Sequence, residues 1–145
     1  MQALFVSWQF WALSSAFFAA LTAILAKVGV TGIDSDLATF FRTIVVAGAL
    51  AILLTLTGKF SGEQSFTRKA VLFLTLSGLA TGASWLCYFR ALSLGEAAQV
   101  APVDKLSVVL VAILGVTLLG ERLSAYGWLG VTLVTAGGVL LAWRG

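Results

Sequence analysis

Residues 97–119 read AAQVAPVDKLSVVLVAILGVTLL. Apart from Asp104 and Lys105 the stretch is uncharged, and it is about as long as the roughly 20 residues a helix needs to cross the hydrocarbon core of a bilayer. Working outward, four more runs have the same character, at 9–30, 37–57, 70–92 and 126–143. None alternates apolar with polar residues as barrel strands do, and in lipid only helices or closed barrels satisfy their own backbones. The whole chain fits this reading. Its 145 residues are 60% hydrophobic and 10% charged, with a mean hydropathy of +1.04. Soluble domains carry about a quarter charged residues, and a core of this size cannot hide so much apolar surface. The expectation is an all-α integral membrane protein, five transmembrane helices in a single domain spanning 1–145, without a linker.

The connections are short. Residues 31–36, TGIDSD, form a turn whose Asp and Ser side chains can cap the second helix, and Ser124 is placed to cap the fifth. Residues 59–69 make the longest and most polar loop. The turns at 93–96 and 120–124 each carry Gly followed by Glu; Glu96 and Glu121 are expected to cap the turn or form an ion pair, with Arg122 a ready partner for Glu121. Trp8 and Trp11 at one end, with Tyr126, Trp128 and Trp143 at the other, suit interfacial aromatic belts. Residues 1–5 lack the basic region of a cleavable signal, so the first span is expected to stay in the mature protein. Gly78 and Gly82 form a GxxxG, Ala12, Ala16, Ala20 and Ala23 line one face of the first helix, and Gly130 and Gly137 recur a heptad apart. Packing within one bundle is the expected use of these faces.

Composition also narrows function. The chain has no histidine, which excludes His triads and His-ligated metals, and its single cysteine, Cys87, cannot form an internal disulfide. No cofactor or metal is expected. No nucleophile–base pair is apparent, so an enzyme is not expected. The net charge of +3 is scattered around the apolar runs rather than gathered into a tract, which argues against nucleic acid.

Charges at membrane depth call for a function. Arg42 lies about 7–8 Å into the second span, and Asp104 and Lys105 about 10–12 Å into the fourth, at 1.5 Å per residue. Three ionisable residues at similar depth are expected to face one polar cavity. Lys27 and Arg90, nearer span ends, are expected to snorkel as interfacial anchors. Pro102, the single proline, has two readings: a break beside the charged pair, or a harmless residue in a helical first turn. Trp85 and Tyr88 share a face of the third helix, either lining an amphipathic pocket or packing as an aromatic stripe. Five spans put the termini on opposite sides. Lys59, Arg68, Lys69 and Arg122 then fall on one side, which by loops alone favours the N-terminus inside, and Lys27, Arg42, Arg90, Lys105 and Arg144 towards the other; the near-even split fits insertion in both orientations or a single orientation with buried functional cations.

The run from Ala91 to Pro102 (ALSLGEAAQVAP), continuing VDKLSVV to Val109, resembles the EamA domain of the drug/metabolite transporter superfamily. So do Leu118–Ser124 (LLGERLS), Gly127-Trp128-Leu129-Gly130, Gly137-Gly138-Val139 and Phe41-Arg42 in the second helix. The resemblance covers nearly the whole chain and implies transport of small metabolites or drugs. It departs in one respect: most relatives carry two such repeats in ten helices, and here there is one. Two five-helix units in tandem are necessarily inverted, so a lone repeat must pair with an oppositely inserted copy or with a paralogue; the expectation is an antiparallel homodimer in the inner membrane. The expected substrate is a small anionic or carboxylate-bearing molecule. Arg42 and Lys105 would attract it, with Asp104, Trp85, Tyr88 and Pro102 at the same path. Translocation of a lipid-linked substrate and a non-transporting scaffold role are the rival readings.

Overall fold

The computed structural model describes residues 7–61 and 66–143. Residues 1–5 and Arg144, which enter the signal and topology expectations, lie outside this range. The protein is 85% helical with five long apolar helices and, among the described residues, no strands: an all-α membrane protein. Helix α1 covers Trp8–Gly29, α2 Ser35–Leu56 and α3 Arg68–Leu94. The fourth span is divided into α4, Ala97–Asp104, and α5, Ser107–Leu118; α6 is Ala125–Trp143. A 3-10 turn, Lys59–Ser61, follows α2. The span limits fall within a residue or two of those read from the apolar runs, because the loss of hydropathy and the caps coincide.

The caps explain the limits. Asp34 accepts hydrogen bonds from the backbone N–H groups of Asp36 (3.0 Å) and Leu37 (3.1 Å), satisfying donors that a helix start leaves open. Ser124 does the same for Gly127 at 3.2 Å. Ser7 and Thr67 cap α1 and α3 in the same way, at Phe10 (3.3 Å) and Ala70 (3.2 Å). Glu96 departs from expectation: it occupies the N-cap of α4, but its side chain makes no capping bond. Glu121 departs too. It forms no ion pair with Arg122; Gly120, at φ +70°, turns the chain back so that the Glu121 N–H bonds the Gly115 carbonyl at 3.0 Å. The Glu121 carboxylate thereby lies over Gly115.

Hydroxyls inside the spans are consumed locally. Thr39, Thr43, Thr55, Thr81, Thr117, Thr132 and Thr135 each donate to the carbonyl four residues earlier, at 2.7–3.0 Å. A threonine satisfied by its own helix leaves no unmet donor, and such residues therefore sit in an apolar span at little cost. Large apolar side chains such as Phe17, Phe18, Leu25, Phe40 and Leu72 point outward, as lipid-facing residues do.

The chain divides into two compact units, one holding the chain up to Lys27 and from Leu94 onward, the other Val28–Ser93. In the first, α6 packs on α4 and α5, and Ala23, Gly115 and Gly138 are buried. In the second, Val30, Ser35, Thr39, Phe89 and Leu92 are buried. The small-residue faces pack differently from expectation. A Cβ added to Gly78, Gly82, Gly130 or Gly137 would meet nothing within 4 Å, so these glycines do not mark close helix contacts within their own units. The close contact falls instead on Gly138, next to one of them.

Candidate functional site

Among the described residues, each unit carries charged side chains within its spans. In the Val28–Ser93 unit, Arg42 projects from α2 and its guanidinium carbon sits 4.2 Å from the centroid of the Trp85 ring and 5.5 Å from that of Phe89. The spacing of α3 makes this possible. Residues three and four apart share a helix face, so Trp85, Tyr88 and Phe89 form one aromatic surface. Phe89 is buried and stacks edge-on with Tyr88, ring centroids 6.5 Å apart, which holds the surface in place. Trp85, Tyr88 and Arg42 are half-buried. Among the described residues no carboxylate pairs with Arg42.

That arrangement has a definite chemistry. Aromatic faces offset about 0.5–2 kcal/mol of the cost of holding a guanidinium out of water, well short of a counter-charge. They occupy its flat side and leave the edge, where the five N–H donors lie, for a ligand. A planar fork of donors matches a carboxylate or phosphate in bidentate fashion. The structure thus brings Arg42 and Trp85 together and adds Phe89, which the sequence reading missed although its place four residues after Trp85 put it on that face.

In the other unit, the fourth span breaks at Lys105 and Leu106. Pro102 is the sixth residue of α4, counted from Ala97, so it lies beyond the first turn and cannot donate to the Ala98 carbonyl. After it the backbone tightens: Leu106, Val108 and Val109 donate to Val103, Lys105 and Leu106, each at 3.0 Å and three residues back. This short stretch of 3-10 winding, rather than a simple bend, divides α4 from α5. Asp104 and Lys105 sit on it and pair with each other, Nζ to Oδ2, at 3.1 Å. The side chains are 35% and 61% exposed, unusual for charges in the middle of an apolar span. Lys27 also belongs to this unit. Its ammonium donates to the Gly95 carbonyl at 2.9 Å, in the turn that follows α3, where a cation suits the carbonyl end of a helix. Arg90 is exposed.

Comparisons with known proteins agree with the architecture. Residues 6–143 match the EamA-like transporter family. A protein of Sinorhizobium sp. named "uncharacterized transporter in cobO 3'region" is 59% identical over 136 residues, covering 94% of this chain and 96% of the relative. No solved structure matches. With five apolar helices, intramembrane charges and a family match over nearly its full length, the chain belongs to the EamA-like transporter family and is a multi-pass membrane transporter.

Proposed function

We propose that the protein exports small carboxylate-bearing metabolites or drugs across the inner membrane, recognising the carboxylate at Arg42. The observation that carries this reading is the guanidinium seated 4.2 Å over Trp85 without an acidic partner among the described residues. A cation held this way lacks an anion, and a substrate carboxylate supplies one. Asp104 and Lys105 form the second functional element, as a charge pair that opens during the cycle; Asp104 or Glu96 is the carrier of a coupling proton.

A single repeat works here as an antiparallel pair of five-helix units, each supplying half of the path for alternating access. Supporting this is the 61% exposure of Lys105 at mid-span. Against lipid such a charge costs about 3 kcal/mol or more, and a second copy or a water-filled path removes that cost.

The test is transport in proteoliposomes by purified Asp104→Asn, Lys105→Ala and Arg42→Gln variants. All three are expected to lose transport per molecule of inserted protein. Full activity of the Arg42 variant would remove the carboxylate reading, and full activity of the other two would remove the pair from the mechanism. Orientation is checked by labelling a Gly145→Cys, Cys87→Ser variant in intact cells with an impermeant reagent. Labelling of about half the molecules is expected for a dual-topology pair. All or none would eliminate the antiparallel homodimer.

A further inference from the structure

We propose that Gly138 is the fulcrum on which the broken fourth span changes its bend, and that it thereby positions Asp104 and Lys105 during transport. This rests on the reading of that pair as part of the transport machinery.

The packing singles Gly138 out. A Cβ built there would lie 3.1 Å from the Pro102 carbonyl oxygen and 3.3 Å from Leu106 Cδ2. Most real Cβ atoms keep farther from their neighbours. The two contacts bracket the break, one on its α4 side and one on the residue that ends it. Pro102 O is the acceptor that Leu106 N–H would use in a continuous α-helix; Leu106 instead bonds Val103, and the Pro102 carbonyl is turned onto α6 at Gly138, a position without a side chain. Helix α6 runs unbroken from Ala125 to Trp143, and so offers a rigid bar on which a jointed partner can lean. The neighbour Gly137 would meet nothing within 4 Å, so the fit is specific to one residue of the pair.

A carbonyl seated on a bare Cα can slide, because no side chain interlocks with it. The 3-10 winding from Val103 to Val109 supplies the other half of the device. Passing between i→i−3 and i→i−4 bonding changes the rise and rotation per residue while keeping donors paired, which lets a helix alter its bend within lipid. Asp104 and Lys105, lying between the seat and α5, swing with α4. A Cβ at Gly138 wedges against a backbone carbonyl rather than a flexible side-chain tip, so the break must hold one bend. Ground-state binding at Arg42, which lies in the other unit and makes none of these contacts, is left as it was.

The experiment needs no substrate. Spin labels at Ala98→Cys on α4 and Ala112→Cys on α5, in a Cys87→Ser background diluted with unlabelled protein, report the bend by pulsed dipolar spectroscopy in nanodiscs. The parent is expected to give a distribution with two populations, Gly138→Ala a single one, and Gly137→Ala the parent's. Thermal stability of the three is followed alongside, since a role in packing alone would lower stability and leave the distribution unchanged. If Gly138→Ala does not insert, Leu106→Ala/Gly138→Ala removes the side-chain half of the clash and keeps the carbonyl half; it too is expected to give one population. A single population in the parent, or two in both Gly138 variants, overturns the proposal. Two populations that collapse in Gly138→Ala, in a protein whose Asp104→Asn variant transports normally, would keep the fulcrum and discard the reading of the pair.

Discussion

Arg42 and Lys105 are both cations set inside apolar spans, and the protein treats them in opposite ways. Lys105 carries its own counter-charge, the adjacent Asp104 at 3.1 Å. Arg42 has aromatic rings at 4.2 and 5.5 Å and no anion among the described residues. The residue types follow from this. An ammonium is a compact charge that a single carboxylate satisfies, whereas a guanidinium can be stacked on its flat side and still present donors from its edge. One cation is self-contained and suited to switching; the other is left incomplete and suited to recruiting an anion.

The comparison breaks most readily at Arg42. Replacing Arg42 by Gln is expected to reduce the apparent affinity for a transported carboxylate about a hundredfold, the order of a charge-assisted bidentate contact. Arg42→Lys is expected to recover little, because an ammonium has no planar fork. A lysine variant with near-parental affinity would show that net charge alone matters and would erase the distinction drawn between the two cations.

On the other side, Lys105→Ala is expected to lower the level of inserted protein by stranding Asp104 in the span, a penalty of about 3 kcal/mol. The Asp104→Ala/Lys105→Ala double variant is expected to insert as well as the parent and to stay inactive. Equal insertion of the single and double variants would mean that the two charges do not depend on each other.

Trp85 sharpens the account of Arg42. Trp85→Phe keeps a ring face and is expected to cost about threefold in affinity; Trp85→Ala, which removes the face, about tenfold, in line with a cation–π contact of about 1–2 kcal/mol. Equal loss in both would assign Trp85 to packing. Gly115→Ala anchors the small end of the scale. Its Cβ would fall 2.7 Å from Glu121 Oε2, the tip of an exposed and flexible side chain that can move aside. A change in thermal stability of about 0.5 kcal/mol or less is expected, in contrast to the rigid contact at Gly138.

Much of the fold was open to a reading of the sequence because length and hydropathy alone set span limits in a bilayer. Asp34 and Ser124 could be recognised as caps for the same reason: capping depends on a few neighbouring residues. What escaped were contacts between distant segments. The glycine face formed by Gly78 and Gly82 was the obvious packing surface by pattern, yet Gly138 makes the close approach, and no periodicity distinguishes it from Gly137. Glu121 beside Arg122 reads as an ion pair, but the reversal at Gly120 carries its carboxylate onto Gly115. The partner of Lys27, the Gly95 carbonyl, lies 68 residues away, beyond the reach of any local pattern. The two readings of Pro102 hung on where α4 begins; with Glu96 at the N-cap, Pro102 stands beyond the first turn.

The central claim is that Arg42 recognises a carboxylate. The direct measurement is the thermal stability of detergent-purified parent and Arg42→Gln protein against size-matched acid and amide pairs, beginning with benzoate and benzamide. A ligand present at a hundred times its Kd stabilises the folded state by about 2.7 kcal/mol. The account predicts stabilisation of the parent by carboxylate members of the panel and not by their amides, with that discrimination gone in Arg42→Gln. Equal shifts from acids and amides, or a preference for acids that survives the loss of the guanidinium, would contradict it.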